Sequence, residues 1–212
     1  MESLAGAAML TLALAVVGGY LLGSIPFGLI AARLGGVGDI RNIGSGNIGA
    51  TNVLRSGRKD LAAITLIGDA GKGALAVLIA GWLTHDAPAV VALAGGAAFV
   101  GHLFPVWLRF KGGKGVATFF GVLLAASWPV GLMAGAAWLI VATVFRMSSL
   151  ASLAAAALAP VLALVVMREQ MPIVWLTVFM AVLIYIRHRE NISRLLKGQE
   201  PRIGGNKGAP AA

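Results

Sequence analysis

Residues 116–145 read VATFFGVLLAASWPVGLMAGAAWLIVATVF, thirty positions without one charged side chain. About 20 apolar residues suffice to cross a bilayer, so the stretch is too long for one upright helix. Near its middle lie Ser127, Trp128 and Pro129. Proline cannot continue a helix interior, because it lacks the N–H and its ring meets a carbonyl of the preceding turn. The stretch therefore reads as two short helices turning at Ser127–Pro129, which brings Arg146 back to the side of Lys114. One tilted helix kinked at Pro129 is the second reading.

Further apolar runs lie on either side: Leu4–Ala32, Leu61–Leu83 and Pro88–Leu108 before, Leu150–Met167 and Pro172–Ile186 after. The expected fold is an all-α integral membrane protein, a compact bundle of seven transmembrane helices. A five-span arrangement, with one long helix over 116–145 and one of the last two runs re-entrant, ranks second. Seven spans put residues 33–60, 109–114, Arg146 and the tail from Arg187 on one side, with 15 of the 17 Lys and Arg residues. Lys72 lies within a span, so only Arg168 falls opposite. Basic loops stay cytoplasmic, so the N-terminus is expected outside and the C-terminus in the cytoplasm.

Composition agrees. The chain has 212 residues, 58% apolar and 12% charged, with no cysteine and a mean hydropathy of +0.88. Too few charges exist to clothe a soluble domain. Disulfide scaffolds, thiolate metal sites and cysteine nucleophiles are excluded. The net charge of +9 points to anionic headgroups or anionic substrates, not to nucleic acid, for which no soluble basic module exists. Residues 1–203 form one polytopic domain, and 204–212 (GGNKGAPAA) read as a flexible tail. Gly19-xxx-Gly23 and Gly131-xxx-Gly135 suit close helix packing.

Polar residues that lipid would reject mark function, and here they gather at one end of the spans. The first cluster is GSGNIGATNVLR, residues 44–55. Its Gly44, Gly46 and Gly49 match G-x-G-x-x-G, but a membrane span precedes them, so a dinucleotide fold is excluded. Glycines still let backbone N–H groups converge on an anion. Ser45, Asn47, Thr51 and Asn52 add neutral hydrogen-bonding groups, and Arg55 adds a forked charge. A polar loop merely turned by its glycines fits the composition equally well.

The second cluster is KGGKGVAT, residues 111–118. Lys111 and Lys114 flank Gly112 and Gly113, so the segment again presents cations and bare backbone N–H groups to an anion, or else Arg109, Lys111 and Lys114 only anchor the span. Gly115 precedes an expected helix start, whose dipole would aim at the same anion, and Thr118 follows. The third is RHRENISRLLKG, residues 187–198. His188 and Asn191 share a helix face, with Arg194 at its edge. Three further groups accompany them. Asp69 and Lys72, at i and i+3, read either as a buried ion pair or as ligand contacts. His102 reads as a core histidine or a ligand group. Ser149 and Ser152 cap a helix or face the basic side.

These motifs resemble those of the bacterial acyl-phosphate:glycerol-3-phosphate acyltransferase family, the PlsY type. The resemblance rests on SGNIGATNVLR at 45–55, on GHLFP at 101–105 with KGGKGVAT at 111–118, and on HRENISRLLKGQE at 188–200. GSIP at 23–26 and DAGKG at 69–73 also match, so the likeness runs from about residue 18 to 203. It implies transfer of an acyl group from a long-chain acyl phosphate to the 1-hydroxyl of glycerol 3-phosphate. Lysophosphatidic acid and phosphate would be released. Neither cofactor nor metal is implied. In that reading Arg55 and Lys111 or Lys114 grip phosphates and the Ser45–Gly49 backbone cradles an anion. Asn191 with His188 orients glycerol phosphate. The alternative class is a membrane carrier for phosphorylated anions. A monomer in membrane lipid is expected.

Overall fold

A computed structural model describes residues 2–204. Of the flexible tail expected over 204–212, residues 205–212 lie outside the described residues, and among the described residues every regular element is helical. The order is α1 (Glu2–Gly23), α2 (Phe27–Leu34), α3 (Ala50–Leu54), α4 (Lys59–Thr84), α5 (Pro88–Leu103), α6 (Val116–Ala126), α7 (Trp128–Phe145), α8 (Ser148–Val166), α9 (Met171–Arg187) and α10 (Arg189–Leu196). Short 3-10 turns occupy Ile40–Asn42 and Val106–Leu108.

The stretch 116–145 is two helices. Ser127 separates α6 from α7 in extended conformation, and Pro129 sits in the first turn of α7, where its missing N–H is harmless. The run 4–32, read as a single span, is also interrupted. Gly23 ends α1, and Ser24-Ile25-Pro26 separates it from α2. Pro26 is the cause, because its ring would collide with the carbonyl four residues back.

Five segments are long and apolar enough to cross a membrane: Gly6–Leu34, Lys59–Thr84, Pro88–Leu108, Trp128–Phe145 and Ser148–Val166. Helices α9 and α10 meet that test only together, bent by 64°. The 11 residues of α6 rise about 17 Å, against a hydrocarbon core of about 30 Å. Length alone thus marks five or six crossings.

The bundle has two ends. At one, a cavity of about 330 Å³ is lined by Asp86, Ala126, Met167 and Gln170, so the α4–α5, α6–α7 and α8–α9 turns meet there. At the other, residues 102–114 meet 187–191, and Arg146 meets Ile203. Phe99, Phe119, Val122, Leu123 and Met180 fill the space between. A separate apolar group, Leu29, Ala32, Ile40, Ile48, Val53 and Leu61, lies beneath the polar loop 40–55 and seats it on α2 and α4. Side chains such as Leu14, Ile67, Leu139 and Val165 are exposed, as suits surfaces that meet lipid.

Small residues bring the helices together. A methyl group at Gly19 would stand 2.6 Å from the Ala94 carbonyl oxygen, and one at Gly23 would collide with that of Ala98, so α1 lies directly on α5. Gly131 meets Leu124 across the α6–α7 hairpin, but Gly135 faces open space and takes no part. Helices α4 and α6 approach reciprocally through Gly73 against Thr118 and Gly121 against Ala70. Gly121→Val should therefore push α6 off α4 and destabilise the protein by about 1–3 kcal/mol. A thermal-unfolding midpoint well below wild type in detergent checks this, with Gly135→Ala as the unaffected control.

Candidate active site

Asn52 organises the first polar loop. It is buried, and its Nδ2 donates to the carbonyls of Ile40 (2.8 Å) and Ile43 (3.0 Å). Its Oδ1 accepts from the Ser45 N–H at 3.1 Å. Gly44 and Gly46 take the left-handed backbone this fold-back needs (φ +57° and +68°). Asn52 is thus spent on loop structure. It leaves Ser45, Thr51 and Arg55 on the exposed surface and Gly46, Asn47 and Gly49 half-buried. The Arg55 side chain lies over Gly44.

The second loop departs from expectation. Its glycine N–H groups are not bare: Gly112 donates to the Leu103 carbonyl (3.1 Å) and Gly113 to that of His102 (3.2 Å). The glycines are required because any side chain would strike His102, Leu103 or Pro105. Gly115, at φ +83° and packed on Phe99, turns the chain into α6. Buried Thr118 donates to the Asp69 carbonyl (2.8 Å) and so joins α6 to α4. Lys111 is exposed. Lys114 turns inward and donates to Asn191 Oδ1.

Around Asn191 the clusters converge. Its Nδ2 donates to Glu200 Oε1 at 2.6 Å. The same oxygen accepts from Ser149 (2.6 Å), and Arg194 Nε donates to Oε2 (2.8 Å). Glu200, whose side chain is 6% exposed, is a hub that the residue-by-residue reading left out of the site. Its sequence signal was one of two acids in a basic tail, two residues beyond Gly198 and at the end of the third quoted motif. Burial works to raise the Glu200 carboxyl, but the hydrogen bonds of Ser149, Asn191 and Arg194 outweigh it and hold it below the usual carboxylate range. Burial, the largest influence, pulls the Lys114 ammonium down, and the charges of Arg194 and Arg55 add to this while Glu200 opposes it. The site holds more cation than it can neutralise, which favours an incoming anion.

His188 follows the end of α9. It is 2% exposed, and its Nδ1 donates to the Ile184 carbonyl (2.8 Å), leaving Nε2 as the acceptor. Burial lowers it to about 4, so the ring is neutral at physiological pH.

The other expected residues hold helices. Lys72 pairs with Asp69 (2.8 Å) and donates to the Ile25 carbonyl (2.7 Å), at the break in the first span. His102 Nδ1 lies 3.6 Å from Asp69. All three are at most 4% exposed. Ser152 accepts from Trp138 Nε1 (3.1 Å) and donates to the Ser148 carbonyl (2.8 Å), tying α7 to α8.

Together these features define an all-helical integral membrane protein with a cation-rich site at one end of its bundle. The profile of the family described as glycerol-3-phosphate acyltransferase matches residues 13–198, and the chain belongs to that family. It is 70% identical to a glycerol-3-phosphate acyltransferase of Caulobacter vibrioides over all of this chain and 97% of that one. A second, from Rhodospirillum rubrum, is 58% identical over 94% of each. The crystal structure of PlsY, an integral membrane glycerol 3-phosphate acyltransferase, is similar in its glycerol 3-phosphate form. The TM-score is 0.85 at 42% identity, covering 91% of this chain and 96% of that one. The lysophosphatidic acid form gives 0.84 at 41%.

Glu200→Ala should remove three acceptor contacts at once and lower stability by about 1–3 kcal/mol, read as a thermal midpoint. Because the native carboxyl is held low, it stabilises the fold above the ordinary carboxylate range. That contribution is lost as pH falls through the lowered native value. Glu200→Gln should flatten this acid limb of the stability profile, which unfolding between pH 3 and 6 measures.

Proposed function

We propose that the chain transfers a fatty acyl group from acyl phosphate to the 1-hydroxyl of glycerol 3-phosphate. The observation that carries this reading is the meeting of Lys114, Asn191, Arg194 and Ser149 around Glu200 at one end of a membrane bundle of this family. Acyl phosphate is a mixed anhydride with a good leaving group, so no covalent acyl-enzyme and no metal are invoked. The hydroxyl oxygen bonds to the carbonyl carbon, the carbon–oxygen bond to phosphate breaks, and the hydroxyl proton leaves with a substrate phosphate. Lysophosphatidic acid and inorganic phosphate result.

The protein's task is positioning and charge neutralisation. Arg55 and Lys114 bind phosphate, the Ser45–Gly49 segment borders an anion, and His188 with Asn191 orients glycerol phosphate. Seven crossings would set the N-terminus outside and this site at the cytoplasmic face of the inner membrane. Helix α6 begins two residues beyond Lys114 and ends at the opposite cavity, which supports that alternation. The acyl chain would lie among apolar helices, entering sideways from lipid, in a monomer. A carrier for phosphorylated anions is the second reading. The apolar layer of Phe99, Phe119, Val122, Leu123 and Met180 between the two ends speaks for the enzyme.

Purified protein given labelled glycerol 3-phosphate should form lysophosphatidate with acyl phosphate and not with acyl-CoA or acyl-carrier protein. Product from another donor would overturn the donor; no product, with anion flux in liposomes, would favour the carrier. If a substrate phosphate takes the proton, His188→Gln should lose less than the roughly hundred- to ten-thousandfold typical of a lost general base. A fall to background rates would reject this.

A further inference from the structure

Arg187 entered none of the expected binding roles. It is the last residue of α9, at the 64° bend into α10. Its guanidinium forks over two successive carbonyls of the second loop, with Nε on Gly113 (3.0 Å) and one terminal nitrogen on Gly112 (2.8 Å). The Phe104 ring lies 5.5 Å from its central carbon. The N–H groups of the same two glycines are held by Leu103 and His102. The Gly112–Gly113 peptide group is thus gripped at both its carbonyl and its N–H, and the Gly113–Lys114 group at its carbonyl. The Gly113 carbonyl shares one planar unit with the Lys114 N–H, so fixing that oxygen fixes the plane from which the Lys114 side chain departs.

We propose that Arg187 is a positioning residue for acyl transfer: by clamping the Gly112 and Gly113 carbonyls, it sets the direction in which Lys114 presents its ammonium to a substrate phosphate. This rests on the reading of Lys114 as a phosphate-binding group. Lysine cannot replace arginine here, since a single ammonium does not match two carbonyls held in a planar fork and stacks less well on the ring. The tie also links Lys114 to the bend that carries His188 and Asn191, so the second and third motifs are oriented as one piece.

The test is a cycle of Arg187→Lys, Lys114→Gln and the double variant in the full-length purified protein. Calorimetry gives Kd for glycerol 3-phosphate and for a non-transferable acyl phosphonate, so inactive variants remain measurable. Lys114→Gln should weaken at least one of these ligands, and Arg187→Lys should weaken the same one by about tenfold, as for a lost charged hydrogen bond. Within the Lys114→Gln background, Arg187→Lys should change that Kd less than about twofold, because its effect runs through Lys114. Equal effects in both backgrounds, or none in the wild-type background, would overturn the proposal. Should Arg187→Lys fail to fold, Phe104→Leu serves instead, with a rise of about threefold expected in that Kd and none in the Lys114→Gln background. No rise overturns the proposal. Unchanged binding of both ligands by Lys114→Gln would instead overturn the reading of Lys114, separating the two failures.

Discussion

A peptide carbonyl that leaves a helix at membrane depth finds no water, and an orphan there costs several kcal/mol. Several breaks in this bundle are accordingly met by side chains of other segments. Lys72 of α4 reaches the Ile25 carbonyl at the interruption of the first span. Arg187 of α9 takes the Gly112 and Gly113 carbonyls. Asn52 takes those of Ile40 and Ile43, and Arg146 that of Ile203. Polar residues that satisfy the breaks are neighbours in sequence of those proposed to bind substrate, Asn52 of Arg55 and Arg187 of His188, and the motifs are long accordingly.

The helices themselves are held by near contact of backbones. Gly19 and Gly23 on α5, Gly73 and Gly121 between α4 and α6, and Gly131 on α6 leave no room for a methyl group. In lipid, such approach stands in for the hydrophobic drive that water supplies elsewhere. The large apolar side chains divide between a buried layer and the exposed outer surface, so the sequence shows little helical amphipathicity.

That division explains what the sequence disclosed. The helical class and the turn at Ser127 were legible, since both depend on local composition and on the sign of flanking charges. The break at Pro26 was not, because apolar residues continue through it and its partner, Lys72, lies 47 residues away. The convergence on Lys114 and Asn191 could be anticipated from charge. Glu200 could not be assigned, as its meaning depends on Ser149, 51 residues earlier. The glycines at 112 and 113 were read as free donors for an anion. The end of α5 lies directly beneath them, and a steric demand looks the same in sequence as a demand for bare amides.

The loop 40–55 rests on its own apolar group, separate from the core that joins α4 to α9. Arg55 and Ser45 therefore belong to one cooperative unit, and Lys114, Asn191 and Glu200 to another. Segments of this kind open at their own free energies, independent of global unfolding. A phosphate bound between Arg55 and Lys114, as proposed, would span the two apolar groups like a rivet and raise the melting of both.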